Sequence, residues 1–276
     1  MTYSELFQQI CKKQSFLCVG LDSSSELIPD CLRDNEYPLF DFNKAIVDAT
    51  AQYAVSFKPN IAFYEAEGVK GWKQFEMTVD YIKTNYPEIM VIADAKRGDI
   101  GNTAKKYAQA FFTRMNCDAV TLAPYMGEDS VRPFLDIEGK WSVILALTSN
   151  KSAEDFETGK SSSLSVDGYL MPMFEKIIRK AMTWGSCDNT MFVVGATRPE
   201  KLREIRTYCP DHFLLVPGVG AQGGTIAEVA KYGLNSHCGL LVNSSRGIIY
   251  ASHGEDFAQV AAEEAHRLAE DMSKYL

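Results

Sequence analysis

Eight short apolar runs punctuate the chain, and each ends in small or charged residues. They cover 16–21, 54–58, 89–93, 119–122, 142–147, 191–195, 213–216 and 239–242. Within each run apolar side chains follow one another with little alternation, the pattern of strands buried on both faces of a parallel sheet. Between the runs the period changes to that of a helix, as at 75–82 and 226–230. In the last segment, 256–276, Phe257, Val260, Ala261, Leu268 and Met272 fall near one helical face. Eight strand–helix units without a break in composition predict an α/β fold, a (β/α)8 barrel that takes residues 1–276 as a single domain. A doubly wound open sheet is the alternative. One stretch breaks the rhythm: 150–169, rich in serine, glycine and charge, directly after the fifth run. It predicts a lid or insertion at the C-terminal end of a strand, where barrels build their sites.

Composition narrows the classes. Hydrophobic residues make up 46% and charged residues 23% of the 276, which is the globular range and excludes a disordered chain. With 28 basic and 36 acidic residues the net charge is −8. That balance argues against sequence-independent binding of nucleic acid, which depends on neutralising phosphates. No apolar run approaches the ~20 residues that cross a bilayer, so no membrane partner is expected. The start lacks a basic segment followed by an apolar one, unlike a secretory leader. Seven cysteines form no CxxC pair, and an odd number suits reduced thiols in a cytoplasm. Four histidines without HExxH spacing give no expectation of a metal.

The densest chemistry follows the third run, in Asp94-Ala95-Lys96-Arg97-Gly98-Asp99. Side chains two apart on a strand share a face, so Asp94 and Lys96 project together from the strand end, with Asp99 on the loop above. A lysine between carboxylates stays protonated and can serve as a general acid. The first run ends in Asp22 and the second in Lys58, so three neighbouring strand ends supply an alternating array of acids and bases. Any one of these residues alone reads as a structural ion pair; four at strand ends read as a site. The seventh run continues into Pro217-Gly218-Val219-Gly220-Ala221-Gln222-Gly223-Gly224. This contains a GxGxxG, but the next strand ends in Asn243-Ser244-Ser245-Arg246 without the carboxylate of a dinucleotide site. A phosphate site after strands seven and eight fits better, with glycine N–H groups and Arg246 facing the anion.

These residues resemble the signature of the orotidine 5′-phosphate decarboxylase family. The carrying motif is Val91-Ile92-Ala93-Asp94-Ala95-Lys96-Arg97-Gly98-Asp99-Ile100-Gly101-Asn102-Thr103-Ala104, supported by Phe57-Lys58-Pro59-Asn60 and the glycine loop. The chain is most similar to the longer bacterial branch. The resemblance implies a homodimeric barrel, no cofactor, and conversion of orotidine 5′-monophosphate to uridine 5′-monophosphate in pyrimidine biosynthesis. It implies Lys96 as proton donor and Asp94 as the carboxylate facing the leaving group. Asp22 and Lys58 would contact the ribose, Asp99 and Thr103 would reach the ribose in the neighbouring subunit, Ser149 would read the pyrimidine, and Gln222 and Arg246 would hold the phosphate. Two positions depart from relatives: Lys151-Ser152 where many have Pro-Gly, and Ser245 where shorter members have glycine. Two other functions stay open. One is a related sugar-phosphate decarboxylase or aldolase on the same barrel, of a kind that resembles magnesium-dependent enzymes. The other is a barrel that binds a nucleotide without catalysis.

Overall fold

The computed structural model describes residues 1–164, 170–220 and 223–276. Ten strands occur among them: β1 Leu17–Leu21, β2 Ala54–Pro59, β3 Met90–Arg97, β4 Ala119–Leu122, β5 Trp141–Leu147, β6 Lys160–Leu164, β7 Leu170–Pro172, β8 Thr190–Val194, β9 Phe213–Pro217 and β10 Leu240–Ser244. Eight of them close into a barrel in the order β1-β10-β9-β8-β5-β4-β3-β2. Every pairing in it is parallel, and β1 with β10 closes the ring. The eight apolar runs are these eight strands. β1, β2, β4, β8 and β10 are buried along their full lengths, which is why their sequences do not alternate.

Helices between the strands cover the barrel. The helix Phe257–Ser273 packs on the helix Pro38–Thr50, with the Phe257 and Phe42 rings stacked at 5.2 Å. Phe257, Ala261, Leu268 and Met272 are buried there as the pattern requires, together with Ala265 and Ala269. Val260 is only half-buried, at the edge of that face. At the start of the chain, the helix Tyr3–Lys13 is opened by a capping box between Thr2 and Glu5.

The segment at 150–169 is not without structure where it is described. A short 3-10 helix, Lys151–Asp155, leads into β6, which pairs antiparallel with β7 outside the barrel. Residues 165–169 of that segment lie outside the described residues. Among the described residues, no helix is long and apolar enough to cross a membrane.

Candidate active site

The C-terminal ends of β1, β2 and β3 place Asp22, Lys58, Asp94 and Lys96 in one connected series. Lys58 Nζ stands 2.9 Å from Asp94 Oδ2 and 3.9 Å from Asp22 Oδ1. Lys96 Nζ stands 2.6 Å from Asp94 Oδ1. The side chains of Lys58 and Asp94 are 6% and 10% exposed, whereas that of Lys96 is 51% exposed. Burial opposes the charge on Lys58, but Asp94 and then Asp22 outweigh it and hold its pKa above the ordinary lysine value. Asp94 is the mirror case: burial favours its neutral form, yet Lys58 and Lys96 hold it far below the usual carboxylate range. Asp94 is thus a fixed anion, with a third donor in Thr121, whose hydroxyl lies 2.9 Å from Oδ1.

Two details differ from the strand-end reading. Asp94 and Lys96 both belong to β3, but the ladder to β4 shifts register between Ala93 and Arg97, and Lys96 adopts a left-handed backbone with φ +46°. Their meeting therefore comes from a bulge that turns Lys96 back, rather than from the period of a regular strand. Within one chain the lysine flanked by two carboxylates is Lys58, while Lys96 pairs with Asp94 alone among the described residues. Asp99 is exposed, accepts a hydrogen bond from the Ile100 N–H at 2.7 Å, and forms no ion pair among the described residues. Thr103 is likewise exposed, on the helix Gly101–Ala108. Arg97, inside the motif, is structural: it pairs with Glu65 at 2.6 Å and lies over the Tyr107 and Phe111 rings.

Beside this array is a cavity of about 230 Å³. Lys58, Asp94, Lys96 and Thr121 form its charged side, and Leu145, Val193 and Leu215 its apolar side. Thr148, Ser149 and Asn150 contribute from the loop after β5. Thr121, Thr148 and the three apolar residues were not singled out by motif. A lone threonine in the apolar run 119–122 was the available signal for the first of them. Glu157 fixes the β5 loop, accepting from the Thr148 N–H at 2.6 Å and the Thr148 hydroxyl at 2.8 Å. Gly195 is obligatory behind Ser149, because a Cβ there would lie 2.7 Å from the serine Cβ. A larger cleft of about 580 Å³ near Tyr125 and Phe156 is mainly apolar and holds no ion pair among the described residues, so chemistry rather than size selects the site.

On the other side of the mouth, Gly218, Gly220 and Gly223 have φ of +100°, +80° and +91°, which builds a tight turn that side chains would strain. Gln222 lies outside the described residues. Arg246 is exposed at the start of the short helix Arg246–Ile249, with no ion-pair partner among the described residues. Asp22 Oδ1 is buried and makes no hydrogen bond to the described residues; its charge is met by Lys58 Nζ at 3.9 Å.

Comparison with known proteins gives these positions a setting. Residues 15–261 match the Orotidine 5′-phosphate decarboxylase / HUMPS family. The orotidine 5′-phosphate decarboxylase of Phocaeicola vulgatus is 56% identical over 276 residues, covering 100% of this chain and 99% of that protein. That of Bacteroides fragilis is 55% identical, covering 100% and 98%. Among solved structures, the Leishmania donovani OMP decarboxylase superposes with a TM-score of 0.79 at 31% identity, covering 98% of this chain and 100% of that one.

Proposed function

The chain belongs to the orotidine 5′-phosphate decarboxylase / HUMPS family, and from that membership we propose how its barrel mouth works. It is a carboxy-lyase that converts orotidine 5′-monophosphate to uridine 5′-monophosphate. The observation that carries the site assignment is the series Lys58, Asp94, Lys96 on the wall of a partly apolar cavity, with Asp22 paired to Lys58 behind it. That cavity is smaller than the roughly 300–1,000 Å³ typical of whole-ligand pockets. It suits the base end of a nucleotide, with the phosphate left to the loops after β9 and β10.

Breaking the bond between C6 and the carboxylate releases carbon dioxide and leaves the electron pair on C6, where the ring offers little delocalisation. Lys96 is the cation beside that developing charge, fixed before the reaction begins. It then gives a proton to C6 and regains one from water. Asp94 cannot escape the approaching substrate carboxylate by taking up a proton, since three donors hold it ionised. The clash raises the bound ground state and is relieved as carbon dioxide departs. Lys58 keeps the two carboxylates in place and, with Asp22, contacts the ribose. Ser149 reads the pyrimidine. Gln222, Arg246 and the glycine turn grip the phosphate, whose binding energy orients the distant ring.

The site is completed in a homodimer, where Asp99 and Thr103 serve the neighbouring subunit's substrate. Their exposure supports this, as do Ile100, Tyr125 and Met126, apolar side chains left exposed on the loops after β3 and β4. The cytoplasm is the proposed compartment, in keeping with seven free thiols. Loss of orotidine 5′-monophosphate, followed by ultraviolet absorbance with and without a chelator, tests the reading. Turnover indifferent to the chelator is expected. Absence of turnover, or its loss on chelation, would overturn it.

A further inference from the structure

β4 is short, and its pairing with β3 is uneven. Ala93 stands opposite Val120 and Arg97 opposite Leu122, so Asp94, Ala95 and Lys96 share the single partner Thr121. A bulge of that kind takes backbone groups away from the ladder and leaves them in need of other partners. The Lys96 N–H finds one in the Thr121 hydroxyl at 2.9 Å. A hydroxyl that accepts there still has its own proton to give, and Thr121 gives it to Asp94 Oδ1 at 2.9 Å. The same oxygen receives Lys96 Nζ at 2.6 Å. These contacts form a closed circuit: Lys96 backbone, Thr121 hydroxyl, Asp94 carboxylate, Lys96 ammonium.

We propose that Thr121 is a positioning residue for the decarboxylation, setting where the Lys96 ammonium stands relative to Asp94. Lys96 has φ +46°, a conformation that is strained for a residue bearing a Cβ and persists only when its surroundings impose it. Thr121 holds the backbone end of the residue directly and the ammonium end through Asp94. Its side chain is buried within the barrel, which gives the circuit a rigid base. A valine would fill the same volume and leave the Lys96 N–H unpaired, while removing one of the three donors that orient Asp94. The inference rests on the assignment of Lys96 as proton donor and concerns only what aims it.

Wild type, Thr121→Val, Thr121→Ala and Thr121→Ser are compared by steady-state kinetics, calorimetric binding of uridine 5′-monophosphate and thermal melting. Misplacing a reacting group by about 1 Å costs about 100-fold, so Val and Ala are expected to lose roughly 10- to 100-fold in kcat. KM and product affinity should stay within about threefold, because the loss falls on the transition state. Serine, which restores the hydroxyl, should keep kcat within about threefold of wild type. Two results would overturn the inference: near-normal kcat in the valine or alanine variant that folds, or a serine variant as impaired as they are. A kcat loss fully explained by the unfolded fraction in the melts would make Thr121 merely structural. An inactive wild type would bring down the functional reading and the inference together; an active wild type beside an unimpaired valine variant removes the inference alone.

Discussion

Lys58→Met removes the cation that stands between Asp22 and Asp94, while keeping most of the side chain's length. After the change Asp94 retains Lys96 at 2.6 Å and the Thr121 hydroxyl at 2.9 Å, but Asp22 loses the ion pair at 3.9 Å. Breaking a buried pair by deleting one partner costs about 3–5 kcal/mol. The contacts left to Asp94, and an Asp22 side chain that is 21% exposed, put this case at the lower end, about 3 kcal/mol. At about 2–4 °C per kcal/mol for a chain of this size, Tm should fall by about 6–12 °C at pH 8. The pH dependence identifies the cause. Asp94, depressed in the folded state, contributes stability above the unfolded carboxylate value of about 3.9 and loses it as pH falls toward the folded one. Lys58, raised in the folded state, contributes below the unfolded lysine value of about 10.4 and loses that as pH climbs through its folded value. In the wild type both contributions are present between about pH 4 and 10. In the variant, Asp22 and Asp94 repel each other until one is protonated. The Tm deficit should therefore be largest at neutral to alkaline pH and shrink as pH approaches about 4. Circular dichroism melts across that range measure it. A deficit below about 2 °C at pH 8, or one equal at every pH, would refute the account.

Lys96→Ala should melt within a few degrees of wild type, since the side chain is half exposed, yet lose about 10⁴-fold or more in kcat with its charge and its proton. Near-normal turnover would remove Lys96 from the chemistry. Arg246→Ala should lower kcat/KM for the phosphorylated substrate by about 3 kcal/mol, roughly 100-fold, and have much less effect on orotidine. Equal losses on both would make Arg246 structural. Mixing inactive Asp99→Ala with inactive Lys96→Ala should restore activity as subunits exchange, because in a shared-site heterodimer one site carries both lesions and the other neither. Verified heterodimers that stay inactive would place Asp99 in its own chain's site.

The barrel was legible because burial on both faces writes itself into composition. A strand such as Ala119–Leu122, covered on each side, needs no alternation, and none is present. Where the environment changes along a strand the apolar run stops short of its end: β3 runs on to Arg97, through the polar Asp94 and Lys96. The hairpin of β6 and β7 was missed for a related reason. It pairs outside the barrel, and its serine-rich first strand, Lys160–Leu164, carries no run of apolar residues to mark it. Val260 was assigned by helical period alone, and the period does not say how far around the helix the neighbours reach.

Within the site, residue type announced the charges but not their order. Four ionisable residues at strand ends could be read from one dimension; which lysine lies between two carboxylates is decided by the bulge in β3, and a bulge has no sequence signature of its own. That order matters to the chemistry. Lys58, deeply buried and doubly paired, is held in its charged form and is poorly placed to give up a proton. Lys96, paired with Asp94 alone among the described residues and half exposed at the cavity, is the one to which the proposed mechanism gives the proton transfer. A chain with net charge −8 gains no general attraction for an anionic nucleotide, so the cations that meet it must be local and pre-positioned. In the proposed mechanism the array divides that work: Lys58 holds the carboxylates, and Lys96 acts on the substrate.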